Sequence, residues 1–234
     1  MQLKLVEDKS CTVCELHEGI NSVCVPTVHY PESLPQGGDS PLIIFIGQNP
    51  GFNEDQKNEP FIGRSGDVVK KAYIGGSGLQ SLASIYLTNG VRCHTQANEM
   101  PKPKHYKACV WAIEHDIREL FNLHADQMKI VVTLGAPATS GFYKEVLGLK
   151  KMSLSKSFTQ NGSYHDHPVT GMEFFLFSTY HPAAVLRNNN HINAVDSHMQ
   201  LVSDCLMGTM AEPSDPIIVP SRSPRRNTDV PKNN

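Results

Sequence analysis

The chain has 234 residues, of which 39% are hydrophobic and 19% are charged, a composition typical of a globular protein with one large core. Its 21 basic and 23 acidic residues give a formal net charge of −2, so there is no overall attraction to nucleic acid and any DNA contact must be local. The longest apolar runs are far shorter than the roughly 18 residues that a membrane span needs. These features exclude a multidomain machine, a disordered chain and a membrane-spanning protein.

Short apolar runs alternate with helix-like stretches along the chain. The run Leu42 to Ile46 lacks polar alternation, as is typical of a strand buried on both faces. Strands that alternate with helices form βαβ units, so we expect an α/β fold with three α/β/α layers around a central four-stranded parallel sheet. Strands are predicted at 42–46, 85–88, 130–134 and 174–177, and helices at about 104–123 and 137–147.

The two ends of the chain bear on its organisation and location. Residues 212–234 contain five prolines among Ser, Arg, Asn and Asp, which predicts a flexible tail after a single domain at 1–211. The first residues have no apolar segment followed by a small-residue cleavage site, so we expect a cytoplasmic protein. Disulfides are then not expected, and the cysteines are better explained as metal ligands or buried apolar residues.

The ends of the predicted strands are where a ligand should bind, because ligands of open parallel sheets lie beyond the carboxyl ends of the strands. Three of the four ends carry a polar side chain that could reach one common pocket. The four segments are Gly47-Gln48-Asn49-Pro50-Gly51, Asn89-Gly90-Val91-Arg92-Cys93, Gly135-Ala136-Pro137 and Ser178-Thr179-Tyr180-His181-Pro182.

Four of the six cysteines form a candidate metal site. Cys11 and Cys14 make a C-x-x-C pair, and Cys93 and Cys109 follow far downstream. The pair alone could be a redox dithiol, but no apolar strand precedes it as thioredoxin-like motifs require. Four thiolates satisfy either tetrahedral zinc or an iron–sulfur cluster. The remaining two, Cys24 and Cys205, are expected to be small buried side chains.

Five ordered motifs between about residues 11 and 205 resemble the iron–sulfur uracil-DNA glycosylases, family 4 of that superfamily. The resemblance implies that Cys11, Cys14, Cys93 and Cys109 hold a structural 4Fe–4S cluster rather than zinc. The motifs are the C-x-x-C pair, the Gly-x-x-Pro-Gly strand end at Gly47, the segment Pro60 to Gly66, the segment Thr88 to Cys93 with a cysteine sixteen residues later, and Tyr180 to Arg187.

The resemblance also assigns roles to single residues. A glycosylase holds a flipped base between an aromatic face and hydrogen-bonding groups, which would be Phe61 and Asn89. The Asn89 carboxamide offers one acceptor and two donors, and its orientation would decide between uracil and cytosine. His181 would donate to the leaving base, a contact worth roughly 10²–10³ in rate. Arg64 would meet a DNA phosphate.

The first motif, Gly47 to Gly51, differs from the family-4 pattern because it has no carboxylate. Gln48 stands where family 4 has Glu, and Asn49 stands where the main uracil-DNA glycosylases have Asp, as in the mismatch-specific and single-strand-selective branches. Asn49 would therefore place the attacking water without taking up its proton. Gly51 replaces a Tyr that bars C5-substituted bases, which predicts a wider pocket. Glu54 and Asp55 are predicted to be loop residues.

The predicted function is monofunctional DNA glycosylase, with uracil as the default base and repair as the role. One alternative is a glycosylase for a C5-modified pyrimidine, such as hydroxymethylated or glucosylated cytosine of phage DNA, in antiviral defence. Another is a non-catalytic nucleic-acid binder. We expect a monomer that acts in a prokaryotic or phage-infected cell. Its expected partner is single- or double-stranded DNA, and no membrane contact is expected. Beyond Arg64, the local basic candidates are Arg187 above all, with Lys70, Lys71, Arg92, Lys102, Lys104 and Lys107.

Overall fold

A six-stranded sheet forms the centre of the protein, whose computed structural model describes residues 3–168 and 170–210. The predicted tail at 212–234 lies outside the described residues. The strand order is β1-β3-β2-β4-β6-β5. Strands β3, β2, β4 and β6 run parallel, which confirms the predicted four-stranded centre. The strands are β1 (Val28–His29), β2 (Leu42–Gly47), β3 (Ser84–Asn89), β4 (Lys129–Leu134), β5 (Ser163–Asp166) and β6 (Glu173–Thr179).

Two antiparallel edge strands extend this centre and were not predicted. Strand β1 has two residues and pairs with β3, and β5 has four residues and pairs with β6. Neither carries an apolar run, since β5 reads Ser-Tyr-His-Asp. Both strands form because a neighbouring strand offers hydrogen-bonding partners, and that long-range cause leaves no hydrophobic pattern in the local sequence.

Seven α-helices cover the sheet within the described residues. The two predicted helices are confirmed, although the second continues from α4 into a π-helical turn at Phe142–Val146. Another π-helical segment, Val69–Gly75, extends α2. None of the described helices is long and apolar enough to cross a membrane. The helices are α1 (Phe52–Lys57), α2 (Arg64–Val68), α3 (Pro103–Leu123), α4 (Gly135–Gly141), α5 (Leu154–Phe158), α6 (Pro182–Arg187) and α7 (Ile192–Leu206).

The core has two apolar layers, one on each face of the sheet. Alternate residues of β2 point to opposite faces, as the pleat requires. Ile44 packs with Ile117 and Phe121 of α3 on one face. Phe45 packs on the other face, in a cluster that includes Tyr73 of the π-helical segment and Met199 of α7. Helices on both faces of a parallel sheet confirm the predicted three-layer α/β/α architecture.

The N-terminal segment has little regular structure and is fixed by buried carboxylates. Asp55 accepts hydrogen bonds from the backbone N–H of Asn21 and of Ser22, at 3.1 and 2.9 Å. Asp116 of α3 accepts from the N–H of Val6 at 2.7 Å and from the Thr27 hydroxyl at 2.5 Å. The segment is thereby held against the sheet and α3 by polar contacts.

Candidate active site

The four predicted segments lie side by side at the carboxyl edge of the sheet. Gly47 pairs with Asn89 across β2 and β3, and the N–H of Gly90 donates to the Gly47 carbonyl at 2.9 Å. On the other side of β2, the last residue of β4 pairs with Thr179 of β6, two residues before His181. Parallel pairing therefore brings the strand ends that carry Asn89, Asn49 and His181 to one edge.

Gly47 leaves room for two of the predicted base-binding side chains. A Cβ at this position would stand 2.7 Å from Cζ of the Phe61 ring, and still closer to Asn89 Oδ1. Such distances are shorter than non-bonded atoms tolerate, so any side chain here would displace both residues. Asn89 and the Phe61 ring therefore meet at the bare face of Gly47, the side on which a Cβ would stand, although they are 28 residues apart in sequence.

Phe61 is held in an unusual backbone conformation. Its φ is 59°, in the left-handed region that non-glycine residues rarely adopt. Its carbonyl packs against the Cα of Gly66 in α2, where a Cβ would clash with it. The ring is only 6% exposed and belongs to the apolar layer below the site. Strained residues persist where the surroundings fix them, often at functional sites, and here the strain places the ring beside Asn89.

The orientation of the Asn49 carboxamide is set by two neighbours. Its Nδ2 donates to the Pro50 carbonyl at 2.9 Å and to Thr95 Oγ1 at 3.2 Å. The carbonyl can only accept, and the Thr95 hydroxyl gives its own proton to the Glu99 carbonyl at 2.5 Å. Both neighbours therefore require an N–H, so Asn49 Oδ1 is left as the group that can accept a hydrogen bond.

Glu54 fills the space beside Gly51, which corrects two expectations. It lies in α1 and is buried, so the prediction of a loop residue was wrong. Its Oε2 would be 2.7 Å from a Cβ at Gly51, and its Oε1 accepts from the N–H of Gly63 at 3.1 Å. A carboxylate therefore occupies the volume that the sequence left open at Gly51. The neighbouring Asp55 is also helical and buried, and it anchors the N-terminal segment.

His181 caps α6 and is held in a defined tautomer. The N–H of Ala183 donates to His181 Nδ1 at 3.2 Å, so the neutral ring carries its proton on Nε2. Burial, with the nearby charge of Arg187, lowers the pKa of His181 to about 4, and the ring is neutral at pH 7. Gly135 permits this packing, since a Cβ there would come 2.7 Å from His181 Cβ. The sequence thus places a neutral N–H donor at the sheet edge.

Some of the basic candidates for DNA contact are exposed, and others are paired with an acidic residue or buried. Arg64, the first residue of α2, and Arg187, the last residue of α6, are exposed. Lys104 forms an ion pair with Glu15. Arg92 is 1% exposed, so its prediction as a DNA contact was wrong. Leu186, which the sequence did not single out as a candidate, is 43% exposed beside Arg187.

The four predicted metal-ligating cysteines line one cavity. Cys11 and Cys14 approach it from the N-terminal segment, Cys93 from the loop after β3 and Cys109 from α3. Within residues 3–168 and 170–210, no three His, Cys, Asp or Glu side chains stand close enough around one point to hold a single ion. The four cysteines therefore line one cavity without closing around an ion.

A backbone N–H group is bonded to one of these four sulfurs. The N–H of Cys24 donates to Cys93 Sγ at 3.5 Å, and the backbone of Arg92 and that of Val13 partly offset the effect of burial, which raises the pKa of Cys109 and of Cys11. Cys24 is buried, as expected, and it also lines the cavity. The other remaining cysteine, Cys205, is buried in an apolar layer of the core, as predicted.

A buried ion pair lies against this cavity. Arg92 donates from one terminal nitrogen to Asp116 Oδ2 at 2.6 Å and from the other to the Val25 carbonyl at 3.3 Å. Burial alone would raise the pKa of Asp116, but the Arg92 charge and hydrogen bonds from His115, Thr27 and Val6 lower it. The pair joins the N-terminal segment to α3 and to the loop after β3.

This arrangement matches a known class of protein. A family model described as the uracil DNA glycosylase superfamily matches residues 34–201. Because the match covers most of the chain, the protein belongs to the uracil DNA glycosylase superfamily, and the predicted class, a DNA glycosylase, is confirmed.

Individual relatives are named more narrowly. The type-4 uracil-DNA glycosylase of Saccharolobus solfataricus is 29% identical over 73% of this chain and 74% of its own length. The type-4 uracil-DNA glycosylase of Thermotoga maritima is 29% identical over 78% of this chain and 81% of its own length. The chain is therefore similar to type-4 enzymes across nearly all of the described core.

Proposed function

We propose that this protein removes uracil from DNA by hydrolysing the N-glycosidic bond, leaving an abasic site. The observation that carries the proposal is the meeting of Asn89 and the Phe61 ring at the bare face of Gly47. A flipped base needs a flat apolar surface and a hydrogen-bonding edge at one place. The names of the type-4 relatives support uracil as the base.

Base recognition rests on Phe61 and Asn89. The Phe61 ring stacks on the extruded base, and the Asn89 carboxamide pairs with its polar edge through one donor and one acceptor. Because parallel pairing fixes Asn89 opposite Gly47, its position does not depend on a mobile loop. Gln48 follows Gly47 at the end of β2 and contributes to the polar wall of the pocket.

His181 stabilises the leaving base. As the glycosidic bond breaks, negative charge develops on the base, and a fixed donor at the base oxygen lowers the barrier. The N–H on Nε2 serves as this donor, since Nδ1 is engaged by Ala183. A neutral donor keeps its geometry, because a proton on Nδ1 would face the Ala183 N–H and disturb the start of α6.

Asn49 positions the attacking water. Its Oδ1 accepts a hydrogen bond from that water, while its Nδ2 stays bonded to Pro50 and Thr95. An amide cannot take up the proton, so bond breaking runs ahead of water attack and the sugar acquires oxocarbenium character. This proposed role of Asn49 resembles the role of asparagine at the same motif position in the mismatch-specific and single-strand-selective branches of the superfamily.

Glu54 restricts the base at its C5 side. By the resemblance, Gly51 lies where a tyrosine in the main uracil-DNA glycosylases bars C5 substituents. Here the Glu54 carboxylate stands beside Gly51. A hydroxymethyl or glucosyl group would have to displace a side chain that is bonded to the Gly63 N–H. This favours uracil over the C5-modified pyrimidines.

DNA is held by exposed groups near the site. Arg64 and Arg187 contact phosphates, which orient the strand without reading its sequence. Leu186 is exposed next to Arg187 and can enter the base stack, as apolar wedges do when DNA is distorted. These three residues are the proposed DNA contacts.

The resemblance to the iron–sulfur family favours a 4Fe–4S cluster over zinc at the four cysteines. Cys11, Cys14, Cys93 and Cys109 are the four thiolates that such a cluster takes, and they line one cavity. The N–H of Cys24 donates to one of these sulfurs, that of Cys93. The cluster, when bound, would cross-link the N-terminal segment to β3 and α3, and the proposed chemistry of the base site does not use it.

The test is base release by anaerobically purified protein. Matched single-stranded and duplex oligonucleotides would contain uracil, thymine or 5-hydroxymethylcytosine at one position. We expect free uracil and no release of the other two bases. Release of hydroxymethylcytosine alone would favour the phage-DNA alternative, whereas tight binding without any release would favour a non-catalytic binder.

Variants separate catalysis from binding in the same assay. Asn49→Ala should bind uracil DNA as the native protein does and release little base. Asn122→Ala is the matched control, because this exposed asparagine lies near the end of α3, where the chain returns to the start of β4, and the change should leave the rate unchanged. Native rates in Asn49→Ala would contradict the proposed role of Asn49.

A further inference from the structure

Arg92 is a buried residue in the wall of the cysteine cavity, and one of its donors has no partner among the described residues. Its two terminal nitrogens bond to Asp116 and to the Val25 carbonyl, whereas its Nε has no hydrogen-bond partner among the described residues. The side chain is 1% exposed and lines the cavity with the four cysteines. Buried N–H groups are almost always bonded, so an unpaired Nε beside a cavity indicates an acceptor that belongs there.

The Arg92 side chain is held in place from its far end. Asp116 and the Val25 carbonyl fix both terminal nitrogens, which leaves the Nε edge as the one available. The backbone of Arg92 also pairs with Val25, whose N–H donates to the Arg92 carbonyl at 2.9 Å. The guanidinium is therefore oriented by the protein itself and does not need the ligand to position it.

The charge of Arg92 also suits an anionic ligand. Among the described residues that line the cavity, Arg92 is the only one with a permanent charge. A cluster held by four thiolates carries net negative charge, and its reduction potential rises with nearby positive charge and with hydrogen bonds to its sulfurs. Arg92 can provide both.

We propose that Arg92 is a positioning residue of the cysteine site, whose Nε–H donates to a sulfur of the bound iron–sulfur cluster and raises its reduction potential. This inference rests on the proposed cluster. It gives the buried Arg92–Asp116 pair a purpose beyond cross-linking, since Asp116 holds the guanidinium in a fixed orientation. It also accounts for a strong base, three residues after Asn89, that makes no contact with solvent.

The first test is the midpoint potential of Arg92→Lys. Lysine keeps the positive charge and can reach Asp116 but has no Nε–H. We expect native iron and sulfide content, a lower midpoint potential and faster bleaching of the cluster in air. Trp111 is the single tryptophan and lines the cavity, so its fluorescence can report cluster loss. Arg118→Lys, on the exposed side of α3, is the matched control and should behave as the native protein.

A second measurement needs no variant and therefore does not depend on folding. Native protein is prepared with arginine carrying ¹⁵N only at Nε, and the reduced cluster is studied by pulsed electron paramagnetic resonance. A ¹⁵N coupling to the cluster spin is expected. No coupling, or an unchanged potential in a fully loaded Arg92→Lys variant, would overturn the role of Arg92. Absence of iron in the native protein would instead overturn the proposed cluster, and the role of Arg92 with it.

Discussion

The base site and the cysteine site are built in different ways. At the base site, the pairing of parallel strands places Gly47 against Asn89 and brings β6 and His181 to the same edge. At the cysteine site, regular structure is sparse on the N-terminal side, where the one described helical turn is Glu15–His17. That side is positioned by Asp55 and Asp116 through buried hydrogen bonds.

This difference bears on which region depends on a ligand. At the base site, strand pairing fixes Asn89, and Asn49 and His181 are held by hydrogen bonds to neighbouring groups. The cysteine site has buried and half-buried thiols around a cavity and an unpaired Arg92 Nε, and these are the groups that the proposed cluster would engage. The loop from Asn89 to Cys93 joins the two regions.

The largest expected effect is at His181. His181→Ala removes the donor to the leaving base and should reduce base release roughly 10²–10³-fold, while the visible absorbance of the cysteine site stays native. Single-turnover release of uracil measures this. A loss below tenfold would mean that another group carries the leaving-base charge.

A loss of about 100-fold is expected for Gly47→Ala, since displacement of positioning groups by about 1 Å has that cost. The added methyl group would displace Asn89 and Phe61. Gly37→Ala is the matched control, because a Cβ there meets no atom within 4 Å. Base release by both variants should be compared at equal iron content, and a native rate for Gly47→Ala would contradict the described contact.

Acid should weaken the sheet region before the cysteine region. Burial lowers the pKa of His165 and of His167 to about 4, so below pH about 6.5 the unfolded chain binds protons that the folded chain excludes. Stability should then fall between pH 6.5 and 4 by up to about 1.4 kcal/mol per pH unit for each histidine.

The carboxylates that hold the N-terminal segment respond in the same direction but only at lower pH. Burial alone would raise the pKa of Asp55, but hydrogen bonds from Ser22 and Asn21 lower it below its usual value. Its contribution is therefore present above the unfolded pKa near 4 and is lost only in stronger acid. Urea unfolding of native protein and His165→Gln at several pH values tests this, and equal pH slopes would count against the histidine account.

A smaller effect on catalysis is expected when the cysteine site is broken. Cys11→Ser should abolish the cluster absorbance and make the N-terminal segment sensitive to limited proteolysis. Its rate of uracil release should fall less than that of Gly47→Ala, because the sheet holds the base site. Cys205→Ser, in the distant core layer, is the control. A loss as large as that of His181→Ala would show that the two regions are not separable.

The smallest expected effect is a shift in pH dependence. Arg187→Gln removes a positive charge that lowers the pKa of His181, so that pKa should rise and the acid limb of the rate profile should move to higher pH. Binding of DNA should weaken uniformly with a smaller salt slope. An acid limb that does not move would show that His181 ionisation does not limit the rate.

The sequence predicted most of the sheet and the strand ends that lie together at its carboxyl edge. Leu42 to Ile46 is a continuous apolar run, and the rule that ligands bind at carboxyl strand ends then placed Asn89 and His181 correctly at one edge. The exposure of Arg187 also agrees with its prediction. These predictions succeeded because each of them depends on a local pattern that spans about ten neighbouring residues.

The errors arose where distant residues decide the outcome. Arg92 is buried because Asp116 of α3 pairs with it, and nothing near Arg92 in sequence signals that partner. Glu54 is buried because the Gly63 N–H binds it. The carboxylate beside Gly51 therefore could not be predicted from the glycine alone.

The central claim is that the base site performs hydrolytic release of uracil. The most direct measurement is the product ratio of the native protein with an oligonucleotide that contains one uracil, in excess enzyme and with borohydride as a trap. We predict free uracil and an abasic strand in equal amounts, with no covalent protein–DNA adduct. Bound DNA that stays intact, or a trapped adduct, would contradict the account.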